Sequence, residues 1–197
     1  MQFKIKKTTY HISFSFLILI LLALTTEKTQ SFIILLLFAT LHEIVHLIFI
    51  YCLSLPPLKV SFTILGANIK RGQSVSNDIN SEILINLSAP VFNIITGVIF
   101  YFISEEISTV NFLLGFFNLI QFYTFDGGTA LKYIFLKFLS EKKTEQALTL
   151  ISLIITIAFS FLSIYIFLNY QHNFSLIIMT IYMFVSIIFK KQNALDY

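Results

Sequence analysis

SFIILLLFATLHEIVHLIFIYCL, residues 31–53, is an apolar run whose only charged or imidazole side chains are His42, Glu43 and His46 near its centre. Its length of 23 residues matches a membrane-spanning helix. Placing two imidazoles and a carboxyl at membrane depth costs several kcal/mol by roughly any insertion scale, unless something there pairs with them. On a helix, residues four apart lie on one face, one turn above each other, so both rings can converge on one ion. His42-Glu43-Ile44-Val45-His46 has the H-E-x-x-H spacing of a zinc site, in which the glutamate beside the first ligand acts as general base.

The rest of the chain fits a membrane setting. It has 197 residues, 57% hydrophobic and only 12% charged, where a soluble domain carries about 25% charge. The single cysteine, Cys52, excludes an internal disulfide and reads as apolar filler at a helix end. The 23 Phe and nine Tyr read as lipid-facing and packing surface. No repeat, linker or soluble segment is visible. The expected fold is therefore all-α and multi-pass, a single membrane domain over 1–197 with six transmembrane helices and one short membrane-associated β-hairpin after the second.

The expected spans are 8–25, 31–53, 83–103, 110–137, 147–169 and 174–189. The first follows a basic start but lacks a small-x-small cleavage site, so it reads as an uncleaved span. Pro56-Pro57 ends the second. Residues 58–71 are rich in β-formers and bend near Gly66, which suggests the hairpin. The fourth span contains Asp126-Gly127-Gly128, and the paired glycines suggest a break or kink there. Irregular backbone at that depth is tolerated where it lines a cavity.

Charge sets the orientation. With a cytoplasmic amino terminus and six spans, both termini and all but Lys28 of the thirteen basic residues face the cytoplasm. Among the acids, only Glu43 and Asp126 fall within spans. His46 and Asp126 each lie six residues from the cytoplasmic side, about 9 Å at helical rise. Catalytic zinc takes three protein ligands and leaves one position for water or substrate. His11 and His172 map near opposite membrane faces, which leaves Asp126 as the third donor. One Zn2+ held by His42, His46 and Asp126 would activate water, and Glu43 would take its proton as it attacks a peptide carbonyl.

These residues resemble the site-2 protease family of intramembrane zinc metalloproteases. His42-Glu43-x-x-His46 is similar to the first family motif. Asn118 to Asp126-Gly127 is similar to the second, N-x-x-P-x-x-x-x-D-G, with Gln121 in place of its proline and Thr124 in place of another frequent proline. Ala89-Pro90 followed by Asn93 is similar to a third element, with Ala89 in place of a common glycine. The branch most resembled contains stage IV sporulation protein FB. The resemblance implies regulated intramembrane proteolysis of a membrane-tethered protein, such as a transcription or sigma factor precursor or its regulator. It implies no nucleic-acid partner and a place in the cell membrane, with the site near the cytoplasmic side. It also implies that Asn118 holds the extended substrate or the kinked backbone and that Asn93 supports the oxyanion. An interhelical hydrogen bond is the plainer role for both asparagines. The hairpin offers a strand edge to which an unwound substrate segment could add.

Two other classes of function compete with a protease. A metal-ion transporter would use the same histidines but would need polar residues continuing to the opposite face, where these spans are almost wholly Leu, Ile, Phe and Ser. An inactive adaptor would be expected to have lost ligands first, and none is lost.

Overall fold

The computed structural model describes residues 2–5, 8–12, 29–54, 59–63, 66–70, 78–169 and 174–193. Within these the chain is mostly helical, with six helices and four strands. It divides into two compact units, Met1–Leu119 and Ile120–Tyr197. The boundary falls inside what the sequence suggests is one kinked span.

The first unit contains strands β1 (Gln2–Ile5), β2 (Thr8–Ile12), β3 (Lys59–Thr63) and β4 (Gly66–Lys70), and helices α1 (Thr29–Cys52), α2 (Ile79–Phe100) and α3 (Glu105–Leu119). The strands form one sheet in chain order. β3 and β4 are antiparallel, with Lys59 opposite Lys70 and Thr63 opposite Gly66. β2 runs parallel to β3, with Thr9 opposite Lys59. The expected first span from residue 8 is corrected here, because Thr8–Ile12 is a strand paired on both sides. Its Thr-Thr-Tyr-His-Ile sequence is β-branched and aromatic, which suits a pleated strand, and its parallel partner β3 lies about fifty residues away where no local pattern reveals it. Residues 13–25 of that expected span, Pro56-Pro57 and the loop 71–77 lie outside the described residues.

Three described helices are long and apolar enough to cross a membrane: Gln30–Cys52, Ile79–Phe100 and Glu141–Asn169. A shorter apolar stretch runs from Leu176 to Ile188. α1 stops at Ser54, whose φ of 57° is left-handed, with its N–H donating to the Tyr51 carbonyl.

Between lipid tails and an apolar side chain there is no hydrophobic driving force, so membrane helices associate through small and polar residues. α2 follows that rule. Its buried face carries Glu82, Ile85, Ser88, Ala89, Pro90, Asn93, Thr96 and Gly97, whereas Ile95, Val98 and Ile99 are exposed. Ile85 packs on Ile50 of α1, with Phe49 and Leu53 beside them. α3 begins after Ser104, whose hydroxyl accepts from the Ile107 N–H. Ser31, near the start of α1, donates to the Glu106 carboxylate. α3 then closes on α2 at two points. Ser108 Oγ donates to the Gly97 carbonyl at 2.8 Å, and Gly115 sits where a Cβ would lie 3.0 Å from the Pro90 carbonyl oxygen.

The second unit contains α4 (Asp126–Leu136), α5 (Glu141–Asn169) and α6 (Ser175–Asn193). The helical break occupies residues 120–125, ahead of the glycine pair rather than at it. Gly127 and Gly128 are buried in the first turn of α4. A Cβ at Gly128 would lie 1.9 Å from the Phe122 carbonyl oxygen, so the glycine admits a neighbouring backbone instead of ending a helix. The break is tied to both following helices. The Tyr123 N–H donates to Ser152 Oγ of α5, and the Tyr123 hydroxyl donates to the Ser186 carbonyl of α6. At one edge, Lys132 and Glu145 form a 2.9 Å ion pair.

Alanine at Gly128 is expected to destabilise the protein by about 3 kcal/mol, because fixed backbone cannot yield to it. Alanine at Gly97 meets only the Phe112 ring at 3.0 Å and is expected to cost about 1 kcal/mol. Thermal melts of the two variants in detergent, followed by circular dichroism, check the order.

Candidate metal centre

α1 brings His42 and His46 to one face, both buried, with ring centroids 4.9 Å apart and the ring planes nearly perpendicular. Glu43 is half-buried beside them. Each imidazole is held through Nδ1 by α2. His46 Nδ1 lies 2.9 Å from the Ile85 main-chain carbonyl, and His42 Nδ1 lies 2.6 Å from Asn93 Oδ1.

The proton positions follow from the partners. A main-chain carbonyl only accepts, so His46 Nδ1 carries hydrogen, and in the neutral ring the lone pair is on Nε2. For His42 the same conclusion takes two more steps. Asn111 Nδ2 donates to the Ile107 carbonyl of its own helix at 2.9 Å, which leaves Asn111 Oδ1 as an acceptor facing Asn93. Asn93 meets it with Nδ2 at 2.9 Å and therefore presents Oδ1 to His42. The His42 Nδ1 hydrogen is thus specified by a carbonyl two side chains away. Both rings have the tautomer of a metal-ligating histidine, in which one nitrogen is tied to a protein acceptor and the other can bind an ion. Two such rings on adjacent turns are donor chemistry that suits zinc.

Asn93 is fully buried, and both ends of its amide are occupied on the Nδ1 side of His42. Its contacts to His42 and Asn111 add the holding of an imidazole to the oxyanion support expected of Asn93. Asn111, also fully buried, lies outside the sequence motifs. Starting the fourth span at residue 110 placed Asn111 at a helix edge, whereas α3 begins at Glu105 and carries it to the second turn. An uncharged polar residue inside an apolar helix is the signal that could have found it. Asn118 is half-buried, and its Nδ2 donates to the Leu114 carbonyl at 3.1 Å, a bond within its own helix. Asp126 opens α4 in the second unit, half-buried, where the helix N-terminus favours a carboxylate. His11 is half-buried on β2, and His172 lies outside the described residues.

No protein-family model matches the sequence, and no curated protein matches it. Among solved structures the fold is similar to the "Site-2 Protease from Methanocaldococcus jannaschii", with a TM-score of 0.66 and 18% sequence identity over 95% of this chain and 93% of that one.

Replacing Asn93 by leucine removes the acceptor of a buried imidazole N–H and the donor to Asn111. The expected destabilisation is about 2 kcal/mol. Asn118→Leu gives up only a bond to its own helix and is expected to cost less than about 1 kcal/mol. Denaturant titration of both variants in mixed micelles measures the difference.

Proposed function

We propose that this protein is an intramembrane zinc endopeptidase of the site-2 protease type, cutting a peptide bond in or near the transmembrane segment of a membrane-tethered protein. The observation that carries this reading is the pair His42 and His46, one turn apart on an apolar helix, with both Nδ1 hydrogens engaged by α2. Imidazoles held in this way at membrane depth are costly unless their other nitrogens bind something, and Zn2+ suits them. The fold likeness and the two sequence motifs point the same way.

By their motif spacing, His42, His46 and Asp126 would supply the three protein donors to one ion. When bound, the ion lowers the pKa of water and polarises a carbonyl as a Lewis acid. Glu43 takes a proton from the attacking water and returns one to the departing amine. Asn93 acts through His42, holding its ring. Asn118 holds the extended substrate through its side-chain carbonyl.

A helical substrate hides its peptide bonds in its own hydrogen bonds and must unwind before cleavage. β4 is an edge strand of the sheet and packs near α1, so an unwound segment can add to it and recover main-chain bonds. The parallel pairing of β2 with β3 requires residues 8–12 and 59–63 to lie on one side of the membrane. Lys4, Lys6 and Lys7 just before the first segment and Lys59 in the second favour the cytoplasmic side, with both termini there and the site at shallow depth. The motif pattern favours the sporulation-type branch, whose substrates would include sigma-factor precursors.

Glu43→Gln is expected to lower turnover at least about 1,000-fold while zinc content is kept, since it removes the base and spares the donors. Comparing membrane proteomes of cells with Glu43→Gln and with the unaltered chain should show one precursor accumulating. Asp126→Ala is expected to lose zinc as well as activity, measured by metal analysis of purified protein. Radiometal uptake into proteoliposomes separates this reading from a transporter, for which Glu43→Gln would alter flux and no precursor would appear.

A further inference from the structure

We infer that Asn111 is a positioning residue for the metal centre: by fixing which end of the Asn93 amide faces His42, it holds the His42 lone pair on Nε2. This rests on the metalloprotease reading for its purpose, though not for its geometry. A carboxamide is nearly symmetric in shape, so a buried asparagine fits its cavity in either orientation and only its hydrogen-bond partners choose between them. For Asn93 those partners are His42 Nδ1 and Asn111 Oδ1. The imidazole cannot make the choice, because it adapts to either end by moving its proton from one nitrogen to the other. Asn111 can, because its own orientation is set by the Ile107 carbonyl, which never donates. Polarity therefore passes in one direction, from a main-chain carbonyl of α3, through two amides, to an imidazole on α1.

Without Asn111, the Asn93 amide is free to turn its Nδ2 toward His42. Nδ1 then becomes the acceptor, the hydrogen moves to Nε2, and the nitrogen that would bind an ion is blocked. His46 has no such dependence, because its acceptor is a main-chain carbonyl directly. The two histidines thus differ in how their tautomers are secured, and only His42 depends on a third helix. Gly115 supports this arrangement from one turn further along α3, where the lack of a side chain lets that helix close on Pro90 and Ile94 of α2, on either side of Asn93.

The test is a double-variant cycle read in two ways on the full chain in detergent: zinc dissociation constants by competition with a chromophoric chelator, and the His42 tautomer from nitrogen-15 shifts of histidine-labelled, metal-free protein. Asn111→Leu is expected to weaken zinc binding about 10- to 100-fold, the usual effect of removing an outer-shell partner, and to remove the Nδ1–H tautomer signal of His42. Asn93→Asp supplies the control. Either oxygen of a carboxylate accepts from Nδ1, so in the Asn111→Leu background, where no acceptor faces it, adding Asn93→Asp should restore the Nδ1–H tautomer and recover most of the lost zinc affinity. Asn111→Ala removes the same amide without adding bulk and replaces the leucine variant should that one not fold. Equal losses with and without Asn93→Asp, or an unchanged tautomer in Asn111→Leu, would overturn the inference. A chain that shows the tautomer switch yet binds no zinc would retain the role of Asn111 and discard the metalloprotease reading.

Discussion

A buried imidazole N–H must find an acceptor, and in this protein that requirement shapes the helices around α1. Both rings are buried, so α2 supplies a side-chain oxygen for one Nδ1 and a main-chain carbonyl for the other. The first acceptor has to be secured in turn, which draws α3 into the same network. Three helices of the first unit are joined by hydrogen bonds that serve two rings.

Those bonds need close helices, and in a bilayer closeness comes from small residues rather than large apolar ones. The buried face of α2 and the Gly97 and Gly115 contacts with α3 supply it, while Ile95, Ile99 and Phe116 of the same helices remain on the outside. The usual guide to a protein core therefore finds only part of this one, Ile50, Phe122, Leu148 and Met183 among it. Polar and small side chains mark the interior here, and the fully buried set includes Glu82, Asn93, Asn111, Thr144 and Thr156.

The second unit applies the same economy to a main-chain break. Residues 120–125 leave helical geometry, and the lost bonds are partly replaced by Phe122, Phe125 and Tyr123 main-chain donors finding new acceptors. Gly128 lets the broken segment fold back on the start of α4. Asp126 consequently begins a helix, where the positive end of the backbone dipole favours a carboxylate, instead of lying within a continuous span.

What the sequence alone determined is whatever depends on composition and short spacing. The apolar runs required helices, the i, i+4 histidines required a shared face, and β-formers after α1 required strands. The four-stranded sheet, with residues 8–12 joining strands about fifty positions later, was beyond local reading because pairing partners leave no mark on the segments they join. The helical break was read one turn late, since a glycine pair looks the same whether it ends a helix or admits a neighbour's backbone. Only the folded chain showed that Asn93 serves His42 and that Asn111 orients Asn93, because the direction of an amide is set by what surrounds it in space and not by its place in the chain.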